Sequence, residues 1–310
     1  FTLQVGGPSA YDKGRADTPF TASLSLDRLV LADAHLAASG RTVAIASSID
    51  FRGRYVLSAD TLQLPASLSA LTVPAGSAIS AANLLPAGLD WRVDGSMGAL
   101  SLSAGSLSGS GSISLTTITL SGSLTLDEGA RLWTSSLTVA MDASIGRRGL
   151  LLPSERLMPF AARVGRDFTL AAGATISVAG LGFPGSSGVF DAGKGPGSGL
   201  GGFTGGGGGG YGGAGGQGKN VSASGGSAYG SAQDPVDFGS GGGGGEAGAG
   251  GGAVLISVGR VLTLDGLIDA SGAGLSGTSF GGGGGAGGSV NLCQAAELEG
   301  SGMILARGAL

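Results

Sequence analysis

Short alternations of apolar and polar residues run along this chain, and one of them recurs. FTLAAGATISVAG (residues 168–180) and LTLDGLIDASG (residues 262–272) share a form: apolar residues at i and i+2, a turn of small residues, then a second brief alternation. Gly165-Arg166 precedes the first and Gly259-Arg260 the second. Looser relatives are LTVPAGSAISAA (71–82), LSLSAGSLSGSG (100–111), LTLDEGARLW (124–133) and LEGSGMILARG (298–308). Period-two alternation with β-branched residues predicts half-buried strands, and the intervening glycine supplies the bend. Such a unit cannot bury its apolar face alone and must stack on copies of itself.

Helix signals are sparse. SERLMPFAARV (154–164) offers Ser154 as an N-cap but is interrupted by Pro159. LDRLVLADAHL (26–36) has helix-like leucine spacing, yet the strand-like TVAIASSIDF that follows favours β. The prediction is an all-β chain forming a right-handed parallel β-helix (a solenoid), with glycine-rich, polyglycine II excursions. An antiparallel sandwich is the alternative, for which only Asp94-Gly95 and Asp265-Gly266 supply tight-turn pairs. Residues 1–164 are expected to form irregular rungs. Residues 165–310 are expected to form rungs broken by loops at 181–252 and 273–288, in one continuous elongated domain.

About two-thirds of the 67 glycines lie between residues 180 and 288, with pure runs at 205–210, 241–245 and 281–285. Flexible linkers are the ordinary meaning of such runs, but linkers separate different domains, and here one strand phrase continues on both sides. GAGGQGKN (213–220) fits G-x-x-x-x-G-K except that Asn220 replaces the magnesium-binding Ser or Thr, and neither strand nor helix flanks it. Calcium-binding nonapeptide repeats need an Asp in each turn, whereas Asp191, Asp234 and Asp237 fall outside that frame. Collagen needs a strict G-X-Y period, which is missing. Ordered polyglycine, three residues per turn and bonded only to neighbours, remains the leading expectation, with mobile loops as the alternative. Phe203, Tyr211, Tyr229, Phe238 and Phe280 are placed to pin the packet to the apolar body.

The glycine-rich segments, GGGGGGYGGAGG, GGSAYG, DPVDFGSGGGGG, GAGGGAVLISV, LTLDGLIDASGAG, GGGGGAGGSVNL and LEGSGMILARG, resemble those of large extracellular surface and appendage proteins of bacteria and protists that carry pectin-lyase-like β-helices. The resemblance covers about the last 150 residues well and the first half weakly. It implies a structural or adhesive role outside the cell and carries no catalytic residues.

Charge narrows the function further. The net charge is -4, charged residues make up 12%, and the lysines are Lys13, Lys194 and Lys219. No basic stripe exists to neutralise phosphates, so nucleic-acid binding is not expected. The longest largely apolar run, AVLISV (253–258), is far short of the about 20 residues of a membrane-spanning helix. With hydrophobic residues at 42% and a mean hydropathy of +0.33, the composition is that of a folded chain rather than a disordered one. The chain begins at Phe1 without a signal peptide and stops within a repeat, which suggests a fragment of a longer polypeptide.

Candidate chemistry is thin. Asp265 and Asp269, with Asp127-Glu128 at a matching turn, are the carboxylates best placed for a glycosidase pair, but they read as turn-forming acids. Arg147-Arg148 and Arg166 have no acidic cluster near them for lyase chemistry. His35 is the single histidine, with Asp33 two residues away on the same strand face, a pairing that reads as local polar satisfaction. One Cys and one His make no zinc set; Cys293 reads as a buried small hydrophobe. Thr116, Thr117 and Thr119 hint at a threonine ladder too short for an ice-binding face. Asn220-Val221-Ser222 fits an N-glycosylation sequon. No cofactor is expected. The expected function is a non-enzymatic structural subunit of an extracellular filament, appendage or coat, associating with itself or related subunits. A carbohydrate- or receptor-binding adhesin is the alternative, followed by a polysaccharide lyase or hydrolase.

Overall fold

The structure, a computed structural model, describes residues 2–5, 15–16, 23–85, 89–202, 205–219, 223–274 and 281–309. The described residues form strands, turns and extended segments without an α-helix. Two compact units are present: residues 1–149 with 164–168, and residues 150–163 with 169–310.

The first unit is a stack of parallel strands, the coils of a parallel β-helix. His35–Arg52, Val56–Gln63, Ala78–Leu85, Ser96–Ala104 and Ser112–Leu120 pair in succession. A second sheet stacks Ala70–Val73, Asp90–Val93, Leu107–Gly109, Leu124–Leu126 and Ala143–Ile145. The nine-residue strand Ser112–Leu120 turns a corner. Its first half pairs with Arg131–Trp133 and its second with Ser136–Val139, so each full coil has three faces.

Parallel register converts the sequence alternation into columns. Leu36, Leu57, Ile79, Met97, Ile113 and Leu132 stand one above another in six successive coils, and all are buried. Parallel sheets bury their apolar residues in this way, and the gain scales with the area removed from water. Asp94 and Gly95 both donate their main-chain N–H to Val73 O one coil earlier. The pair is therefore a coil corner and no hairpin turn, and a Cβ on Gly95 would lie 2.3 Å from Ser77 O.

The second unit repeats the pattern. Leu151, Ile176, Ile268 and Ile304 form a column through Leu150–Leu152, Thr175–Ser177, Leu267–Asp269 and Met303–Leu305. Ala253–Val258 pairs with Ser289–Cys293, and Val261–Leu264 with Glu297–Glu299. Asp265 and Gly266 both donate to Leu170 O, the same corner as Asp94-Gly95. Between these coils the chain leaves the β-helix at 181–252 and again near 273–288.

Two local expectations change. The phrase 100–111 is out of phase with its relatives: it begins in the long strand Ser96–Ala104 and ends in the short strand Leu107–Gly109 of the other sheet. SERLMPFAARV is no helix. Leu157 takes a positive φ of 58°, and after Pro159 the chain enters the strand Phe160–Val164. LDRLVLADAHL is β as predicted, split between Leu24–Ala32 and His35–Arg52 by a left-handed Asp33 (φ 49°).

Candidate functional site

The described parts of the glycine excursions are ordered, and their hydrogen bonds show how. Along the run 205–210, Gly206 donates to Gly281 O (2.6 Å), Gly207 to Leu200 O (2.8 Å) and Gly208 to Gly216 O (2.8 Å). Three residues on, Gly209 returns to the first neighbour at Gly284 O (2.9 Å) and Gly210 to the second at Gly197 O (2.7 Å). Successive amides point to three different neighbours and then repeat. That is the three-residue turn of a polyproline II-type helix, which has no internal hydrogen bonds and bonds only sideways.

The run 239–244 is more fully enclosed. It donates to 248–251 (from Gly239 and Gly242), to 191–194 (from Gly241 and Gly244) and to Gly207 (from Gly243). It accepts from Phe183 and Ser186, from Gly199, and from Gly283 and Ala286. Six segments surround it, bound through main-chain groups that would otherwise be buried without partners. Glycine is required where the runs meet: a Cβ on Gly206 would lie 1.6 Å from Gly243 O, and one on Gly250 1.8 Å from Gly239 O. The linker reading of 205–210 fails on these contacts.

A tyrosine corner closes one side of the bundle. Gly197 N–H donates to Ser240 Oγ (2.9 Å), Ser240 Oγ–H donates to Tyr229 Oη (2.9 Å), and Tyr229 donates to Phe238 O. The Tyr211 and Tyr229 rings meet edge to face at 5.1 Å, and Phe183 meets Phe238 likewise at 6.2 Å. Burial pushes both phenols up, with Ser289 offsetting this at Tyr211 and Ser240 at Tyr229. The Tyr211 hydroxyl is buried beside Ser289 and, among the described residues, has no partner in good hydrogen-bond geometry. Tyr211 thus packs on Tyr229 and Phe238 on Phe183, within the glycine bundle itself, while Phe203 and Phe280 lie outside the described residues. The Ser240 relay was not foreseen. Its only sequence signal is that Ser240 is the one residue with a side chain in GSGGGGG (239–245).

The acids act as staples between coils. Asp265 Oδ1 accepts from Ser301 N (3.0 Å) and Ser301 Oγ (3.2 Å) in the next coil. Asp90 does the same for Ser106 N, Asp94 for Ser110 N, and Asp142 for Asp167 N. Asp269 caps Ser271 N (2.9 Å). Asp127 pairs with Arg92, Glu128 with Arg148 and Asp142 with Arg166, all at exposed positions. These contacts hold turns; they do not converge on a groove. Among the described residues no group of three His, Cys, Asp or Glu side chains comes together.

Other expectations are corrected. Asp33 does not share a strand face with His35: it sits in the bend before that strand, and its carboxylate accepts from Arg54 N (3.0 Å). Cys293 is exposed rather than buried, because the alternation of Ser289–Cys293 puts it with Asn291, opposite Val290 and Leu292. GAGGQGKN lies along an edge run whose Gly213 and Gly216 carbonyls accept from Tyr211 and Gly208, so it forms no phosphate cradle at a helix start. Asn220 lies outside the described residues. No helix among the described residues is long and apolar enough to cross a membrane.

Compared with protein-family models, with curated proteins and with solved structures, the chain matches none.

Proposed function

We propose that this chain is a non-enzymatic structural subunit of an extracellular filament, appendage or cell-surface coat, assembling with itself or with related subunits. The observation that supports this most is the six-neighbour enclosure of run 239–244. A lattice joined through main-chain groups is stiff, needs no metal or ligand to hold it, and grows sideways wherever a run keeps unused amides and carbonyls. The edge run 212–216 leaves room for such growth: a Cβ on Gly212, Gly213 or Gly216 would meet nothing within 4 Å. The columns offer a second place. Leu298 and Ile304 continue the columns of Leu262 and Ile268, yet are 58% and 42% exposed where their predecessors are 1%. A further coil, from the same polypeptide or from a neighbouring subunit, would cover them.

Negative-stain microscopy with sedimentation velocity, over a concentration series of the full 310-residue chain, tests the reading. Filaments or ordered arrays that are lost in Ile304→Lys or Gly216→Trp support it. A monodisperse particle at every concentration, with unchanged sedimentation in both variants, contradicts it.

A further inference from the structure

The tyrosine corner opens onto two adjoining clefts. One, of about 460 Å³, is bounded by Tyr211, Tyr229, Ser231, Pro235, Ser289 and Val290. The other, of about 410 Å³, is walled by glycine, alanine and Tyr211 alone. Both share Tyr211, Gly212 and Gly288, so together they make a groove with Tyr211 at its middle. Each is within the range that holds a small ligand, and their junction suits a ligand of several linked units.

The lining chooses the chemistry. Among the described residues no charged side chain borders either cleft, so neither a phosphate nor a carboxylate finds a counter-charge there. The first cleft offers two half-buried tyrosine rings, each an apolar body with a polar tip, and the Ser231 hydroxyl, with the buried Ser289 hydroxyl behind them donating to Asp237 O. In the second, the absence of larger side chains leaves main-chain donors and acceptors within reach. A sugar ring has the matching character, an apolar C–H face rimmed by hydroxyls. The Tyr211 hydroxyl is the second observation: a buried polar group without a well-formed bond is costly, and turning toward a ligand in either cleft would supply one.

We propose that this groove binds a neutral oligosaccharide, with the Tyr211 and Tyr229 rings stacking on sugar faces and the Tyr211 hydroxyl bonding a sugar hydroxyl. The proposal does not rest on polymer formation.

Saturation-transfer NMR and titration calorimetry on the full chain test it. The probes are maltotriose, cellotriose, chitotriose and mannotriose, with digalacturonate, choline and pentaglycine as contrasts. At least one neutral trisaccharide is expected to bind, more tightly than its monosaccharide. Ala228→Trp, which fills the first cleft from an exposed position, should weaken binding at least tenfold. Tyr211→Phe should weaken it about fivefold while the melting temperature holds or rises, a combination that damage to the fold would not give. The proposal is overturned if no neutral trisaccharide binds at millimolar concentration. It is equally overturned if only digalacturonate, choline or pentaglycine binds, or if binding survives Ala228→Trp.

Discussion

Gly206 and Gly243 approach so closely that a Cβ on Gly206 would stand 1.6 Å from the Gly243 carbonyl oxygen. No rotamer relieves such an overlap, because the obstacle is main chain held on several sides. Gly206→Ala should therefore force the two runs apart and destabilise the second unit by about 3 kcal/mol or more, at or beyond the usual cost of overpacking. Gly216→Ala, ten residues along the same stretch, meets open space and should be neutral or stabilising by about 0.4–1 kcal/mol through the unfolded chain. Denaturant unfolding of the two variants, followed by circular dichroism, measures the contrast.

The columns make a separate claim. Ile113 is fully buried between Met97 and Leu132. Truncation leaves a cavity that parallel neighbours, fixed by their own ladders, cannot close. Ile113→Ala should cost about 2–5 kcal/mol, read as a lower unfolding midpoint. Thr117→Ala, on the exposed face of the same strand, should change stability by less than about 0.5 kcal/mol.

How much of this was open to sequence reading depends on what side chains report. Strand phrases are legible because inward Leu and Ile alternate with outward Ser and Thr, and a parallel stack preserves that alternation from coil to coil. Phase is less legible: Ser96–Ala104 is one unbroken strand whose alternation shifts as it turns a corner, its buried Met97 and Leu102 standing five residues apart, so the phrase at 100–111 is misaligned. The glycine runs carry no side chains, so their order can be argued from their number and surroundings, but the choice of neighbour cannot. That Gly207 donates to Leu200, and not to another run, is fixed by lateral geometry alone. Cys293 misleads because an apolar composition around it says nothing of which strand face it takes.

The two tyrosines should part company when each loses its hydroxyl. Tyr229→Phe strands Ser240 and Phe238 O without their partner and should cost about 1–3 kcal/mol. Tyr211→Phe removes a buried hydroxyl without a well-formed bond and should be neutral or stabilising. Thermal melts of both variants give the comparison directly.

Burial also raises the phenols of Tyr55, Tyr211 and Tyr229 above the ordinary value near 10. A raised folded-state value favours the protonated, folded form. Its contribution is complete below about pH 10 and falls as pH rises through the folded values, because the unfolded chain ionises first. Stability should decline above pH 10, and absorbance titration near 295 nm should show these phenols ionising late or only on unfolding.

At acid pH the staple at Asp94 gives the opposite sign. Partial burial pushes its carboxyl up, but bonds from the Ser110 main chain and side chain and from Arg92 outweigh this and hold it below the ordinary value. Its contribution is present above about pH 4 and is lost as pH falls through the lowered value. Asp94→Asn should flatten that part of the acid unfolding curve.

The account stands most directly on the glycine lattice, and hydrogen exchange of residues 205–210 reads it. All five amides from Gly206 to Gly210 are bonded to other segments, so peptides covering them should retain deuterium-resistant amides for as long as the strand Ala253–Val258 does. Exchange of these amides at the rate of an unstructured chain, while that strand stays protected, would contradict the lattice and restore the linker.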